Sequence, residues 1–231
     1  HFKFGDHKSL KKKITKNTAA IMVESILGEG GIKVIPDWCL KGLRKICNKK
    51  KILLILDEVQ CGIGRTGDFF AFEKSRVKPD IVPIAKGIGG GFPIGAVLMN
   101  KKAASGMTAG THGSTFGGNP LATKVASRAL QLLYEDNLIE NSAVLGEYFK
   151  SKLSSINNKI IKDVRGKGLW IGMELEESDI NAKHLCLMLL NEGLLCKETH
   201  KTVIRFAPPL MITKKELDWA VDKITKVIRS V

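Results

Sequence analysis

No apolar run in this chain approaches the roughly 20 consecutive residues that a membrane-spanning helix needs, so a helical span is excluded. There is no secretory pattern either. Cysteine is scarce. Cys39, Cys47, Cys61, Cys186 and Cys196 are odd in number and show no CxxC spacing. That argues against a disulfide framework or a metal cluster and predicts scattered reduced thiols in a cytoplasmic protein. Acidic side chains are also short, at 23 against 37 Lys and Arg, for a formal net charge of +14. Such a balance would permit contact with nucleic acid or an anionic surface. Yet only Lys11-Lys12-Lys13 and Lys49-Lys50-Lys51 form runs, and no aromatic residues interleave with them as a base-stacking groove requires. A solvated basic face is expected, with no nucleic acid and no membrane as partner. No internal repeat or low-complexity segment is present.

What the chain does have is apolar sequence enough, 44% of 231 residues, for one large domain or one and a half. Its start at His1, with the basic segment Lys8 to Lys16 leading straight into a strand, suggests a piece of a longer protein. Ala19 to Val23, Ile52 to Leu56 and Ile81 to Ala85 are continuous apolar runs, and Gly95 to Met99 is a further strand. The segment between the first two starts at Pro36-Asp37 and repeats Leu40, Leu43, Ile46 and Cys47 at helical spacing. Unbroken apolar strands separated by helices predict an α/β fold with a parallel sheet buried on both faces. Asn119-Pro120 opens another helix, because proline's missing N–H costs nothing in a first turn. From about residue 138 the character changes. Leu138 to Ile156 is amphipathic, Leu169 to Leu175 and Val203 to Phe206 are strands, and Lys183 to Asn191 is a helix stopped by Gly193. Thr213-Lys214-Lys215-Glu216 is a capping box opening the last helix. This is an α+β tail, and the expected division is 1–137 and 138–231.

Asp57 closes one apolar strand and opens Asp57-Glu58-Val59-Gln60. Lys86 follows another and opens Lys86-Gly87-Ile88-Gly89-Gly90-Gly91. In open α/β sheets ligands bind at the carboxyl ends of parallel strands, and both residues sit there. An amine and a carboxylate so placed suit pyridoxal phosphate, which needs a lysine for its Schiff base and an acid to keep its ring nitrogen protonated. Taken singly, Asp57 could be a cap after a strand and Lys86 an ordinary loop lysine. The glycines after Lys86 let backbone approach a ligand closely, although alone they could be a turn. Thr111-His112-Gly113-Ser114-Thr115-Phe116-Gly117-Gly118-Asn119-Pro120 brings hydroxyls and backbone N–H groups to a helix N-terminus, which suits a phosphate, or else a simple capping loop.

These segments, in this order and with Gly64-Arg65-Thr66-Gly67, resemble the class III pyridoxal-phosphate aminotransferases. Val164-Arg165-Gly166-Lys167-Gly168-Leu169 and Val203-Ile204-Arg205-Phe206-Ala207-Pro208-Pro209 extend the likeness to nearly the whole chain. The resemblance implies an aspartate-aminotransferase-type fold (fold type I): the later part of the large domain followed by the C-terminal small domain. It implies Asp57 at the pyridinium nitrogen, Val59 packed on the ring face and Gln60 at the phenolic oxygen. Lys86 is the implied Schiff-base lysine and, once displaced, the base that moves the proton. Ser114 and Thr115 are implied to bind the phosphate of a neighbouring subunit's cofactor, hence a homodimer with shared sites. Arg205 is implied to hold a substrate carboxylate through its planar fork, and Glu29 to pair with it in one half-reaction and release it in the other. Two departures stand out. Ser25 replaces the proline usual after Glu24, and the family's first portion, with the rest of the pocket wall, precedes what is present here.

Within the family the expected reaction is transfer of the terminal amine of N2-acetylornithine to 2-oxoglutarate, in arginine biosynthesis. The alternative is ornithine δ-aminotransferase. Ala85 to Gly95 and Gly110 to Gly113 look more like the acetylornithine enzymes, and Gly193 to His200 more like the ornithine ones. Aminomutase relatives usually differ at Gln60. Two other classes are an inactive fragment lacking part of the active site and a basic nucleic-acid-binding module.

Overall fold

The computed structural model describes residues 1–2, 4–177 and 181–231. In chain order it forms α1 (His7–Lys13), β1 (Ala20–Glu24), β2 (Ile26–Leu27), β3 (Lys33–Val34), α2 (Asp37–Lys50), β4 (Leu53–Asp57), β5 (Ile81–Ile84), β6 (Ala96–Met99), α3 (Lys101–Ala104) and α4 (Pro120–Glu135). There follow α5 (Leu138–Ser154), β7 (Ile161–Lys167), β8 (Trp170–Leu175), α6 (Ala182–Asn191), β9 (Lys197–Thr199), β10 (Val203–Phe206) and α7 (Lys214–Arg229). The first sheet has the order β1-β4-β5-β6 and the second β7-β8-β10-β9, while β2 and β3 make a small ribbon.

In the first sheet β1, β4 and β5 run parallel, with Glu24 in register with Asp57. Strand β6 is antiparallel to β5. The segment between them is too short for the crossover of a dozen or more residues that a parallel return requires. Helix α2 fits beside this sheet because Leu40, Leu43 and Cys47 fall on one stripe and pack with Leu54, Leu56, Val82 and Ile84. Each such buried aliphatic side chain contributes about 1.5–3 kcal/mol. Lys51 ends α2 in a left-handed conformation, its N–H returning to the carbonyls of Asn48 and Cys47. The sheet is not buried on both faces, as the unbroken apolar runs predict. Leu53, Ile55 and Ile81 alternate with the core residues and are only half-buried, and Met22 and Val97 are both 55% exposed.

The second sheet is antiparallel throughout. Its central strand β8 is buried along nearly its whole length and shares a core with α5, α6 and α7. Helix α7 opens with the expected capping box. The Thr213 N–H donates to Glu216 Oε2 at 2.8 Å, and the Glu216 N–H donates to Thr213 Oγ1 at 3.3 Å. Asn119 caps α4 by accepting from the Ala122 N–H at 2.9 Å, with Pro120 in the first turn.

A third cluster joins the two halves. Trp170 of β8 packs with Ile26, Ile32, Cys61 and Ala71. Arg65 reinforces the junction, donating from Nη1 to the carbonyls of Leu169 (3.1 Å) and Pro208 (2.5 Å). Ser142 of α5 donates to the Arg65 carbonyl at 2.9 Å. A Cβ on Gly168 would lie 2.5 Å from the Thr66 carbonyl carbon and 2.7 Å from the Arg65 oxygen, so only glycine permits this approach.

Candidate active site

The carboxyl ends of β1, β4 and β5 lie along one edge of the first sheet; the first two end in carboxylates, and Lys86 lies two residues past the third. Glu24 closes β1 and takes the Gly28 N–H on Oε2 at 2.9 Å. Asp57 closes β4, and its Oδ1 accepts from the Val59 N–H at 2.9 Å, turning the chain sharply out of the strand. Glu58 points the other way and is fully buried. Its N–H donates to the Pro83 carbonyl at 3.0 Å, stitching the end of β4 to β5.

Lys86 follows β5 and opens a single 3-10 turn, Lys86–Gly89. Its φ is +47°, in the left-handed region that a non-glycine residue occupies only at a cost. The side chain is exposed and forms no ion pair among the described residues. A cavity of about 260 Å³ runs between Lys86, Gly87, Gln60, Ile63, Arg65, Trp170 and Arg205, near the lower end of the range for small-ligand pockets. Gln60 Oε1 is buried with no hydrogen-bond partner. A buried unpaired polar atom is costly and asks for a partner from outside the chain.

Arg205 of β10 reaches this cavity and pairs with Glu29, Nη1 to Oε1 at 2.7 Å. Burial is the largest single influence on the Glu29 carboxyl and pushes it up. The hydrogen bond and charge of Arg205, with Lys197 and Gln60 behind them, outweigh that and hold it below the ordinary carboxylate range. Burial pushes Arg65 down to about 10, so it stays protonated at neutral pH.

Gln60, Lys86 and Arg205 therefore line one cavity, with Glu29 bonded to Arg205. Asp57 and Val59 stand at the strand end beside it but are not part of its lining. Ser114 and Thr115 are apart from it, fully exposed on the loop before α4, where Ser114 Oγ accepts from the Gly117 N–H at 3.0 Å.

The sequence profile of the class-III aminotransferases matches residues 5–228. The chain belongs to the class-III aminotransferases. It is 52% identical over 225 residues to an ornithine aminotransferase of Macrococcus caseolyticus, covering 97% of this chain and 56% of that protein. It superposes with a TM-score of 0.92 and 37% identity on an ornithine aminotransferase from Toxoplasma gondii, covering 100% of this chain and 56% of that one. An acetylornithine aminotransferase from Elizabethkingia anophelis gives 0.92 and 40%, covering 100% and 62%. The class-III aminotransferase chain thus spans little more than half the length of the relatives it matches, and its fold is that of the fold-type I enzymes.

The family depends on pyridoxal 5′-phosphate, and the T. gondii structure carries that cofactor at partial occupancy in its active site. The residues here fit it: an exposed amine on a strained turn, a buried amide oxygen of Gln60 with no partner, and a carboxylate at the neighbouring strand end. In this class-III aminotransferase the sequence reading missed the cavity residues Trp170 and Leu210 and the buried role of Arg65. Arg65 stood inside a quoted motif, but nothing in the sequence marks its two carbonyl partners more than 100 residues away.

Proposed function

We propose that the full-length protein is an ornithine δ-aminotransferase, moving the terminal amino group of ornithine to 2-oxoglutarate to give glutamate and a semialdehyde. The observation that carries this reading is the joint placement of Lys86, Gln60 and the Glu29-paired Arg205 around one cavity. The 52% identity to a named ornithine aminotransferase favours it over the acetylornithine reaction and its arginine-biosynthetic role. The 40% identity to a named acetylornithine enzyme keeps that as the second reading.

When bound, pyridoxal phosphate supplies an electron sink for the carbon that bears the transferred nitrogen. Asp57 would hold the ring nitrogen protonated and Val59 would pack on the ring face. Gln60 would donate to the phenolic oxygen through an amide whose two ends are interchangeable by a flip. Lys86 would hold the group covalently, and its freed amine would then carry the proton to and from the substrate carbon. Arg205 would take a substrate carboxylate when Glu29 lets go of it. Ser114 and Thr115, exposed here, would serve the cofactor phosphate of a second subunit, which makes the protein a homodimer. We also place the division between large and small domains at 137/138, in the link between α4 and α5; the core of the second sheet draws its buried residues only from 149 onward. A cytoplasmic setting accords with five free cysteines and no membrane-spanning helix among the described residues.

The test is steady-state glutamate formation by the full-length enzyme with ornithine or N2-acetylornithine as donor. Ornithine should give the higher kcat/KM by at least about tenfold, the equivalent of 1.4 kcal/mol. A preference for the acetylated donor would overturn the substrate reading, and no turnover with either would overturn the reaction itself.

A further inference from the structure

We propose that Thr199 and Arg165 are positioning residues that fix the backbone under Glu29, so that Arg205 is released by rotation of the Glu29 side chain and not by movement of its loop. The proposal rests on the ornithine aminotransferase reading above, in which Glu29 masks Arg205 in one half-reaction.

The loop from Gly28 to Gly31 is held at successive points. Gly28 N–H donates to Glu24 Oε2 at 2.9 Å. The Glu29 carbonyl accepts from Thr199 Oγ1 at 2.7 Å, and the Gly28 carbonyl lies 3.4 Å from the same hydroxyl. The Gly31 carbonyl accepts from Arg165 twice, from Nη2 at 2.6 Å and Nε at 2.9 Å. Arg165 is itself fixed, its Nη1 lying 2.8 Å from Asp163 Oδ2 and 2.5 Å from Glu174 Oε2. Thr199 is only 2% exposed. The Glu29 side chain is 61% exposed, by contrast; among the described residues its ion pair is to Arg205, and the Gln60 side chain also hydrogen-bonds its carboxylate. The backbone is clamped by the fold, whereas the carboxylate is held by the side chains of Arg205 and Gln60, which can turn.

Three residues around this loop share one sheet, and the fourth, Glu24, ends β1 of the first sheet. Arg165 lies on β7, Thr199 on β9 and Arg205 on β10, with Arg205 in register with Lys197. Thr199 and Arg165 tie the Glu29 backbone to the sheet that carries Arg205, and Gly28 ties it to Glu24 of the first sheet as well. The pair must therefore open by a side-chain torsion, a movement that staggered rotamers make discrete. A slack backbone would let Glu29 drift from Arg205 and leave the guanidinium open to carboxylates at all times.

The experiment uses the full-length holoenzyme and two readouts: the Kd of glutarate by calorimetry, and kcat/KM for ornithine against KM for 2-oxoglutarate. Thr199→Val keeps the shape and removes the donor. Glutarate Kd and the 2-oxoglutarate KM should each fall two- to about tenfold, the scale of one neutral hydrogen bond, while kcat/KM for ornithine falls by a similar factor. Thr199→Ser should restore wild-type values. In a Glu29→Gln background Thr199→Val should change glutarate Kd by less than about twofold, because the group it acts through is gone. If Thr199→Val does not fold, Arg165→Lys removes the fork on Gly31 and should shift glutarate Kd in the same direction. A lowered melting temperature with unchanged glutarate Kd, or a full effect persisting in Glu29→Gln, would overturn the positioning role alone. A wild-type enzyme that turns over neither donor would overturn the reading beneath it.

Discussion

Glu58 is the residue whose replacement tests most directly how the end of β4 is held. Its carboxylate is completely buried between Asp57 and Val59. Oε1 accepts from Ser25 Oγ at 2.8 Å and Oε2 from the Ala71 N–H at 2.8 Å. Burial pushes its pKa above the ordinary carboxylate value, and the hydrogen bonds from Ala71 and Ser25 only partly offset this. Glu58→Ala would strand the buried Ala71 N–H and Ser25 hydroxyl at about 1–3 kcal/mol each, and leave a cavity besides. A loss of about 3–6 kcal/mol is expected. Glu58→Gln keeps the shape: its carbonyl accepts from Ala71, its amide donates to Ser25 Oγ, and the hydroxyl proton turns away. The pH dependence separates the two. A carboxyl whose folded pKa is raised contributes most while protonated, below its unfolded value near 4.3, and loses that contribution as pH rises through the folded pKa. Between pH 4.5 and pH 8 Glu58→Gln should therefore gain on the wild type as pH rises through the folded pKa and level off above it, and Glu58→Ala should stay well below both. Urea midpoints of the full-length protein across that range would measure it. If Glu58→Gln at pH 8 were as unstable as Glu58→Ala, the ionised carboxylate itself would be what holds the strand end, and the reasoning would fail.

Two further outcomes follow from the strand ends. Borohydride reduction of the full-length, cofactor-loaded protein should attach pyridoxyl to the peptide containing Lys86, and mass spectrometry finding it only on another lysine would remove Lys86 from its role. Asp57→Asn should leave the melting curve nearly unchanged and lower transamination by about 10²–10³-fold or more, the scale of a lost electrostatic contact in a transition state; near-normal turnover would show that Asp57 does not face the ring.

Local pattern carried the elements well where one face of an element decides its fate. Leu40, Leu43 and Cys47 marked α2, Thr213 with Glu216 marked the start of α7, and the apolar runs ending at Asp57 and Lys86 marked two neighbouring parallel strands. The same runs predict burial on both faces, and in this chain, which spans little more than half the length of its relatives, Met22 and Val97 lie exposed. Ser25, marked in the sequence only as a departure from the usual proline, proves to be a buried donor to Glu58. That bond joins residues 33 apart, and no periodicity reports it. Thr199 and Arg165 stand in quoted segments, but their contacts were invisible for the same reason, since each bonds a backbone carbonyl more than 130 residues away. Carbonyl acceptors carry no signature in sequence.

The division of labour between the two sheets explains why Arg65 matters as much as any residue that would touch substrate. In the proposed reaction, the lysine comes from the edge of the first sheet and the carboxylate-binding arginine from the second. A donor held at both ends demands a fixed separation between them, and misplacement by about 1 Å costs on the order of 10²-fold in rate. That separation is set at the junction, where Arg65 donates to Leu169 beside β8 and to Pro208 just past β10, while Gly168 lies against the Thr66 backbone. Arg65 is thus bonded at both ends of the segment that delivers Trp170 and Arg205 into the cavity it also lines. A lysine there would keep the charge but could not span two carbonyls with one planar group. The distance from Lys86 to Arg205, and with it the length of donor the site accepts, is in this sense a property of Arg65.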